Sequence, residues 1–347
     1  QEKTASNEQL EIISISRKRP ESLQEVPIAI TALSEKVIEN AGIERPGDAI
    51  GLIPNITMVD ASNVGDTQVT IRGIVSTRDA ESTFAYVVDR VLMTNPNGFN
   101  EELFDVAQIE VLKGPQGALY GRNAVAGAII VTTKQPSDEF EGRVKIGLAN
   151  NDTQKVSGVI SGALSDTVRG RLSASRNTTD GFYTNAFTGA DDSVDYLEDS
   201  NIRGRLIWDA SDILTLDFRA SVSDVEGGAI NYNAAFALPS FVDAFNQPAY
   251  FADVNEHDFI FAFNVPGINE QSTFETSLKA DLDLDGFDVT AVLAYNDLEE
   301  TLLSDGTSAS FYGYELTAQC QTDRATLNNA PTAIGGAGRT DLFGEFF

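Results

Sequence analysis

The residues best suited to covalent chemistry are scarce in this chain. Its 347 residues include one histidine, His257, and one cysteine, Cys320. A lone cysteine cannot close an internal disulfide, and a lone histidine leaves no histidine cluster for a transition metal. Ser-His-Asp chemistry has His257 as its one candidate base, in a segment without a nucleophile-elbow pattern. We therefore expect no enzyme, no catalytic residue, no cofactor and no metal centre. Carboxylates are plentiful. Asp180, Asp191, Asp192, Asp195, Glu198 and Asp199 crowd residues 178–199 with no lysine or arginine among them. Such a cluster could take Ca²⁺ through oxygen ligands, but the EF-hand spacing is missing, and a solvated acidic loop is the favoured reading. Residues 225–272 carry Tyr232, Phe236, Phe241, Phe245, Tyr250, Phe251, Phe259, Phe261 and Phe263, again without a cation. These rings could stack on a sugar or a catecholate, or form the loop's own small core, and both readings stand.

A third motif is the glycine-punctuated stretch from Val111 to Pro136, with Gly114, Gly117, Gly121 and Gly127 after a short strand. A phosphate-cradling loop of this kind ends in Gly-Lys-Ser/Thr, whereas Lys113 here precedes the glycines, which favours a tight turn. Charge points the same way. The chain has 24 lysines and arginines against 52 acids, a net charge of −28, which excludes the basic footprint that nucleic acid requires. No apolar run reaches the roughly 18 residues of a membrane-crossing helix, so crossing a bilayer would require a closed β-barrel.

The elements that must position these residues fall into two regimes. Before residue 136 the pattern is mixed. Val26–Thr31, 68–73, 84–90, 108–113 and 128–133 read as strands. Ser34 caps a helix closed by Gly42, and a second helix runs from Pro46 to Leu52. Loops cover 60–67, 76–82 and 93–100, the last rich in turn formers. After Pro136 apolar and polar residues alternate strictly, as in Leu214, Leu216, Phe218, Ala220 and Val222 against Thr215, Asp217, Arg219 and Ser221. The same alternation marks 143–149, 155–164, 167–175, 201–209, 273–284, 287–297 and a run from 340 onward. One apolar and one polar face over about ten residues is the outer-membrane strand pattern. Tight turns at 165–166, 210–212 and 285–286 alternate with long connections at 178–199, 225–272 and 299–339, as short periplasmic turns and long outer loops do. Arg169, Arg171, Arg203, Arg205 and Arg219 fall on the inward face, either to hold a plug or to line a hydrated lumen.

Several motifs in fixed order carry a family resemblance. Leu52-Ile53-Pro54-Asn55, Ile71-Arg72-Gly73-Ile74, Gly114-Pro115-Gln116-Gly117, Tyr120-Gly121-Arg122-Asn123 and Ala126-Gly127-Ala128 follow one another. Together they resemble the plug signature of TonB-dependent outer-membrane receptors, continuously over about residues 10–136. The resemblance implies an α+β plug followed by antiparallel transmembrane barrel strands. It divides the chain into an extension at 1–20, a plug at 21–137 and the first part of the barrel at 138–347. Its signature residues here are Arg72, Gly73, Gly114, Pro115, Tyr120, Gly121, Arg122 and Gly127. It makes Glu11, Ile12, Ile13, Ser14 and Ile15 a TonB box, an extended segment able to add a strand to its partner's sheet. It places Arg78, Asn95, Asn97 and Phe99 on loops that meet ligand.

The implied partners are TonB with its inner-membrane energising complex, outer-membrane lipid and a small nutrient. A ferric siderophore is the first expectation for that nutrient, and an oligosaccharide or another scarce nutrient is the alternative. A surface binding protein without transport is the competing class. Seven strands and the start of an eighth are expected, about 8 of the roughly 22 strands that a plugged lumen needs. The chain is thus expected to be the N-terminal part of a longer protein. Its beginning at Gln1, without a start methionine, fits an exported chain whose leader has been removed.

Overall fold

The computed structural model describes residues 13–14, 21–22, 28–60, 67–76, 80–186, 188–229, 261, 265, 267–304, 318 and 322. In chain order the first part contains β1 (Ile13–Ser14), β2 (Glu21–Ser22), β3 (Ile30–Ser34), α1 (Glu35–Ala41), α2 (Pro46–Gly51), β4 (Ile56–Asp60), β5 (Thr67–Ile71), β6 (Ile74–Val75), β7 (Phe84–Val88) and β8 (Val91–Met93). A 3₁₀ turn (Pro96–Asn100), β9 (Val106–Lys113), α3 (Gly117–Tyr120) and β10 (Gly127–Thr133) complete it.

A five-stranded sheet in the order β3-β9-β10-β7-β8 forms its centre, with β10 and β7 parallel and the other pairs antiparallel. Both faces of this sheet are covered, which is why its strands read as continuous apolar runs rather than alternating ones. Ile109, Val111, Ile129 and Val131 point to one side, where Ile38 of α1 and Ala49 and Ile50 of α2 meet Phe84 and Tyr86. Leu112, Ala128, Ile130, Ala85 and Val87 fill a smaller cluster on the other. Gly42 ends α1 in the left-handed conformation, φ 65°, donating its N–H to the Glu39 carbonyl. The expected strand at Val26–Thr31 begins instead at Ile30 and runs into Ser34, whose side chain makes no cap hydrogen bond. Residues 23–27 lie outside the described part.

The strand expected to end at residue 90 stops at Val88. Asp89 and Arg90 both take positive φ, 46° and 73°, and form the two-residue turn into β8. Similarly, Arg72 and Gly73, φ 50° and 82°, form the hairpin between β5 and β6. Gly127 is fixed by space rather than by φ. A Cβ there would lie 2.2 Å from the Leu112 carbonyl oxygen and 3.3 Å from the Ile71 Cδ1, because β9 and β10 approach at this point. Gly127→Ala is therefore expected to cost about 1–3 kcal/mol in plug stability. Gly117→Ala, where an added Cβ meets nothing within 4 Å, is the control, and equal denaturation midpoints for the two variants would contradict the close-approach argument.

The second part is one antiparallel meander of β11 (Glu141–Leu148), β12 (Gln154–Ala163), β13 (Val168–Thr179), β14 (Leu197–Ser211), β15 (Leu214–Gly227), β16 (Ile268–Leu284) and β17 (Phe287–Leu303). Each strand pairs with the next through regular registers, for example Leu172↔Gly204 and Leu278↔Leu293. Ile202, Leu206, Phe218, Val222, Phe274 and Leu293 stand exposed on one face, and the arginines and hydroxyls of alternate positions are buried on the other. The strands reach 17 residues, beyond the expected ten. Towards the long-loop end the outward residues become polar, as at Arg176, Glu198, Asp224 and Glu270, so the apolar alternation stops while hydrogen bonding continues. A membrane strand needs only about 9–11 residues, so these polar ends exceed the length that a bilayer crossing requires. Residues from 340 onward, expected to begin an eighth strand, lie outside the described part.

Candidate plug–wall interface and outer face

The inward face of the meander carries a cation at alternate positions of neighbouring strands, and the plug meets them with turn carboxylates and free carbonyls. Asp105 leads into β9 at φ 57° and is buried. Its two oxygens accept from Nε and Nη2 of Arg171, both at 2.6 Å, while Arg171 Nη1 reaches Glu141 at 2.5 Å. This fork-to-fork pairing is the strong form of an ion pair.

Arg205 binds Asp217 on its own wall at 2.9 and 2.7 Å, and spends its remaining Nη1 on the plug's Thr133 Oγ1 at 3.1 Å. Arg219 donates to the plug's Asp89 at 3.0 Å and to Glu275 at 2.7 Å. Arg203 donates to the Phe104 carbonyl at 2.9 Å. Asp89 also accepts from the Thr133 N–H and hydroxyl, at 2.9 and 2.6 Å. Burial pushes the Asp89 carboxyl up, but Arg205, Arg219 and the Thr133 bonds outweigh it and hold the group below its usual range. Its stabilising contribution is accordingly present above the ordinary carboxylate range and lost as pH falls through its lowered value.

Four of the five inward arginines thus hold the plug. Arg169 does not. It pairs with Asp209 at 3.0 Å and Asp138 at 3.4 Å, at the short-turn end of the wall. The seam also runs the other way, from a plug cation to a wall carboxylate. Arg45 Nη2 lies 2.5 Å from Asp199, which is fully buried. Asp199 is therefore neither a solvated loop acid nor a Ca²⁺ ligand, and Asp195 is a turn brace accepting from the N–H groups of Phe182 and Tyr183 at 2.9–3.0 Å. Among the described residues no group of three or more His, Cys, Asp or Glu is placed to hold a metal. On α1, Glu39 binds Arg143, and Lys145 at 3.6 Å; beyond its end, Glu44 is bound by Lys155. These outer pairs are partly exposed and contribute little each.

At the outer end a short segment of the plug crosses several strands of the wall. Asn95 Oδ1 accepts from the Asn97 N–H at 3.0 Å and starts the 3₁₀ turn. Asn97 Nδ2 donates to Glu300 of β17 at 2.5 Å, and that carboxylate also accepts from Asn269 and Gln271 of β16 at 2.9 and 3.2 Å. Glu101 accepts from Thr273 of β16 at 3.1 Å, and Glu102 from Ser175 of β13 at 3.1 Å.

The expectation for Phe99 is corrected. Its ring is 2 % exposed and packs edge-on against Phe84 and Tyr86, with centroids 4.9 and 5.0 Å away, so it anchors the segment instead of facing ligand. Asn97 is engaged by the wall, Asn95 remains half-buried at the outer end, and Arg78 lies outside the described residues.

Of the signature residues, Arg72, Gly73, Gly114, Gly121 and Gly127 serve backbone geometry. Pro115 follows Gly114, which leaves β9 at φ 113°. Tyr120 packs on the smaller cluster, and Arg122 is exposed 3.9 Å from Glu81. Of the box, Ile13 and Ser14 pair antiparallel with Glu21 and Ser22, while Glu11, Ile12 and Ile15 lie outside the described residues.

A mixed α/β domain seated by buried ion pairs against the polar face of an antiparallel strand wall is the arrangement of a plug against part of a barrel wall. Residues 22–128 match the TonB-dependent Receptor Plug Domain family. The chain is 27 % identical over 183 residues to the Pesticin receptor of Yersinia pestis, covering 52 % of this chain and 27 % of the relative. It is 26 % identical over 213 residues to the Ferrioxamine B receptor of Salmonella typhimurium, covering 59 % and 28 %. Its fold matches the ferric yersiniabactin uptake receptor FyuA from Yersinia pestis with a TM-score of 0.67 at 21 % identity, over 79 % of this chain and 41 % of that one. Residues 22–128 are thus similar to the plug domain of TonB-dependent receptors, and the chain spans a little over a quarter of the length of these curated relatives. The relatives are receptors, not enzymes.

Proposed function

We propose that the protein containing this chain is a TonB-dependent importer of a ferric siderophore and has no enzymatic activity of its own. The observation that carries the reading is the seating of the plug. A domain held by buried, directional ion pairs closes against the wall at rest yet keeps a polar seam that can part. A purely structural stopper would gain as much from an apolar interface, since a buried ion pair is often no more stabilising than well-packed apolar residues. The names of the relatives, receptors for pesticin and ferrioxamine B and for ferric yersiniabactin uptake, support the cargo class. In this reading residues 1–20 carry the box for TonB at Glu11–Ile15, residues 21–137 are the plug and 138–347 the first part of the barrel. Ligand meets the outer loops near Asn95 and Arg78.

The test is radioiron uptake by iron-starved cells lacking the gene, with and without the whole protein restored, using ferric siderophores from the organism's own iron-starved medium. Uptake that returns with the gene, and stops when the proton gradient is collapsed, is the expected result. Equal uptake in both strains for every ferric fraction would overturn the cargo assignment.

A further inference from the structure

Among the described residues the seam contains two adjacent carboxylates, Glu101 and Glu102, that the docking chemistry leaves without a directly bonded counter-ion, and Glu101 is the one beside a second acid of the wall, Glu275. Glu101 is partly buried between the plug and the wall, and among the described residues its hydrogen bond comes from the neutral hydroxyl of Thr273. The cations nearby are committed elsewhere. Arg219 serves Asp89 and Glu275, Arg203 serves the Phe104 carbonyl, and Arg45 serves Asp199. Glu101, Glu275, Arg203 and Ser223 line one cavity of about 20 Å³, room for a single water. Its polar groups are incompletely satisfied, since Arg203 Nε and Ser223 Oγ are buried without partners. The charged groups acting on Glu101 from the packed elements are Glu275 on β16 and Asp199 and Arg203 on β14. Two of the three repel a second negative charge.

We propose that Glu101 holds a proton at the seam, and that loss of this proton releases the 95–102 segment from the wall, making the outer end of the plug a pH-sensitive latch. An ionised carboxylate in this position would be desolvated beside Glu275 and Asp199 with Arg203 alone to offset it and no direct ion pair, whereas a protonated one is neutral and can donate a hydrogen bond. Burial first, then repulsion from Glu275, pushes the Glu101 carboxyl up to about 8. The sign follows. The seated segment binds the proton more tightly than the released one, whose carboxyl has an ordinary value near ~4.3. Release therefore becomes easier as pH rises between those two values, by up to about tenfold per pH unit, and is flat outside them. The segment is well placed to report such a change, because Asn97, Phe99, Glu101 and Glu102 tie it to β17, the plug core, β16 and β13 respectively.

The experiment is hydrogen exchange with mass spectrometry on the whole protein in detergent, following peptides over 95–104 after division by the chemical exchange rate. Protection in the unsubstituted protein should fall on the order of a hundredfold between pH 5.5 and 7.5. Glu101→Gln, which stays neutral, should remove most of the slope and leave the share of Glu102, which burial and Asp199 also push up. Glu275→Gln removes one repelling charge, so its protection loss should level off at a lower pH, and this variant decides the matter if Glu101→Gln fails to fold. A flat profile in the unsubstituted protein, an unchanged slope in Glu101→Gln, or a Glu275→Gln profile that does not move would each overturn the latch. The readout involves no uptake, so it stands or falls separately from the transport function.

Discussion

Asp105→Ala should weaken plug seating by about 3–5 kcal/mol, because it leaves the guanidinium of Arg171 buried with two of its three hydrogen bonds gone. The pair is deeply enclosed, with side-chain exposures of 6 % for Arg171 and 2 % for Asp105. Glu141 remains as a partner through Nη1, which keeps the loss toward the lower end of that range. The comparison that gives the number meaning is Glu39→Ala on α1. Glu39 also faces wall cations, Arg143 and Lys145, but it is 38 % exposed and solvent screens it, so its loss should be about 0–1 kcal/mol. Thermal melts of the whole protein in detergent, read together with exchange protection of β9, would rank the two. If Asp105→Ala and Glu39→Ala proved equally mild, the buried fork would not be what holds the plug. Asp105→Asn should fall between them, since the amide keeps one acceptor for Arg171 but turns a donor toward its other nitrogen.

The second large effect expected is functional. Ile13→Pro should reduce siderophore-dependent iron uptake to the level of a strain without the gene, while leaving surface binding of the same ferric siderophores intact. Proline removes the N–H that a strand-adding partner would use and fixes φ near −65°. Ile13 and Ser14 already adopt paired, extended backbone with Glu21 and Ser22, so the segment has the conformation that strand addition requires. Ile13→Val keeps both the N–H and the β-branch and should transport normally. Normal uptake in Ile13→Pro would sink the assignment of this segment as the TonB contact and favour a binding protein that does not transport.

The division into plug and wall was legible because it changes the hydrophobic period. Runs such as Ala128-Ile129-Ile130-Val131 belong to a sheet covered on both sides, and alternations such as Leu214 to Val222 belong to one with an exposed apolar face and a buried polar face. Paired arginines such as Arg203 and Arg205 were legible as inward-facing for the same reason. Their partners were not. Asp105, Asp89 and Glu101 sit in turns, and nothing local in a turn says which distant strand will come opposite. Asp199 was misread with the loop acids, because the end of β14 lies where outward positions turn polar and alternation loses its contrast. Phe99 was misread because an aromatic among turn formers looks exposed. That it packs between Phe84 and Tyr86 is decided by tertiary contact alone.

The meander of the wall also bears on the order of assembly. Every strand of β11–β17 pairs with its immediate neighbour in sequence, so each step of its growth closes only the loop between consecutive strands, the longest running from Gly227 to Ile268. The contacts that seat the plug join residues much further apart, 66 positions for Asp105 and Arg171 and 203 for Asn97 and Glu300. Loop-closure entropy is therefore least for hairpin-by-hairpin growth and greatest for docking, which places docking late. Interactions made late have little weight in the rate-limiting barrier to assembly, so losing them speeds escape more than it slows formation. Weakening the seam by substitution should thus appear as a shorter plug residence time, with barrel biogenesis proceeding at its usual pace.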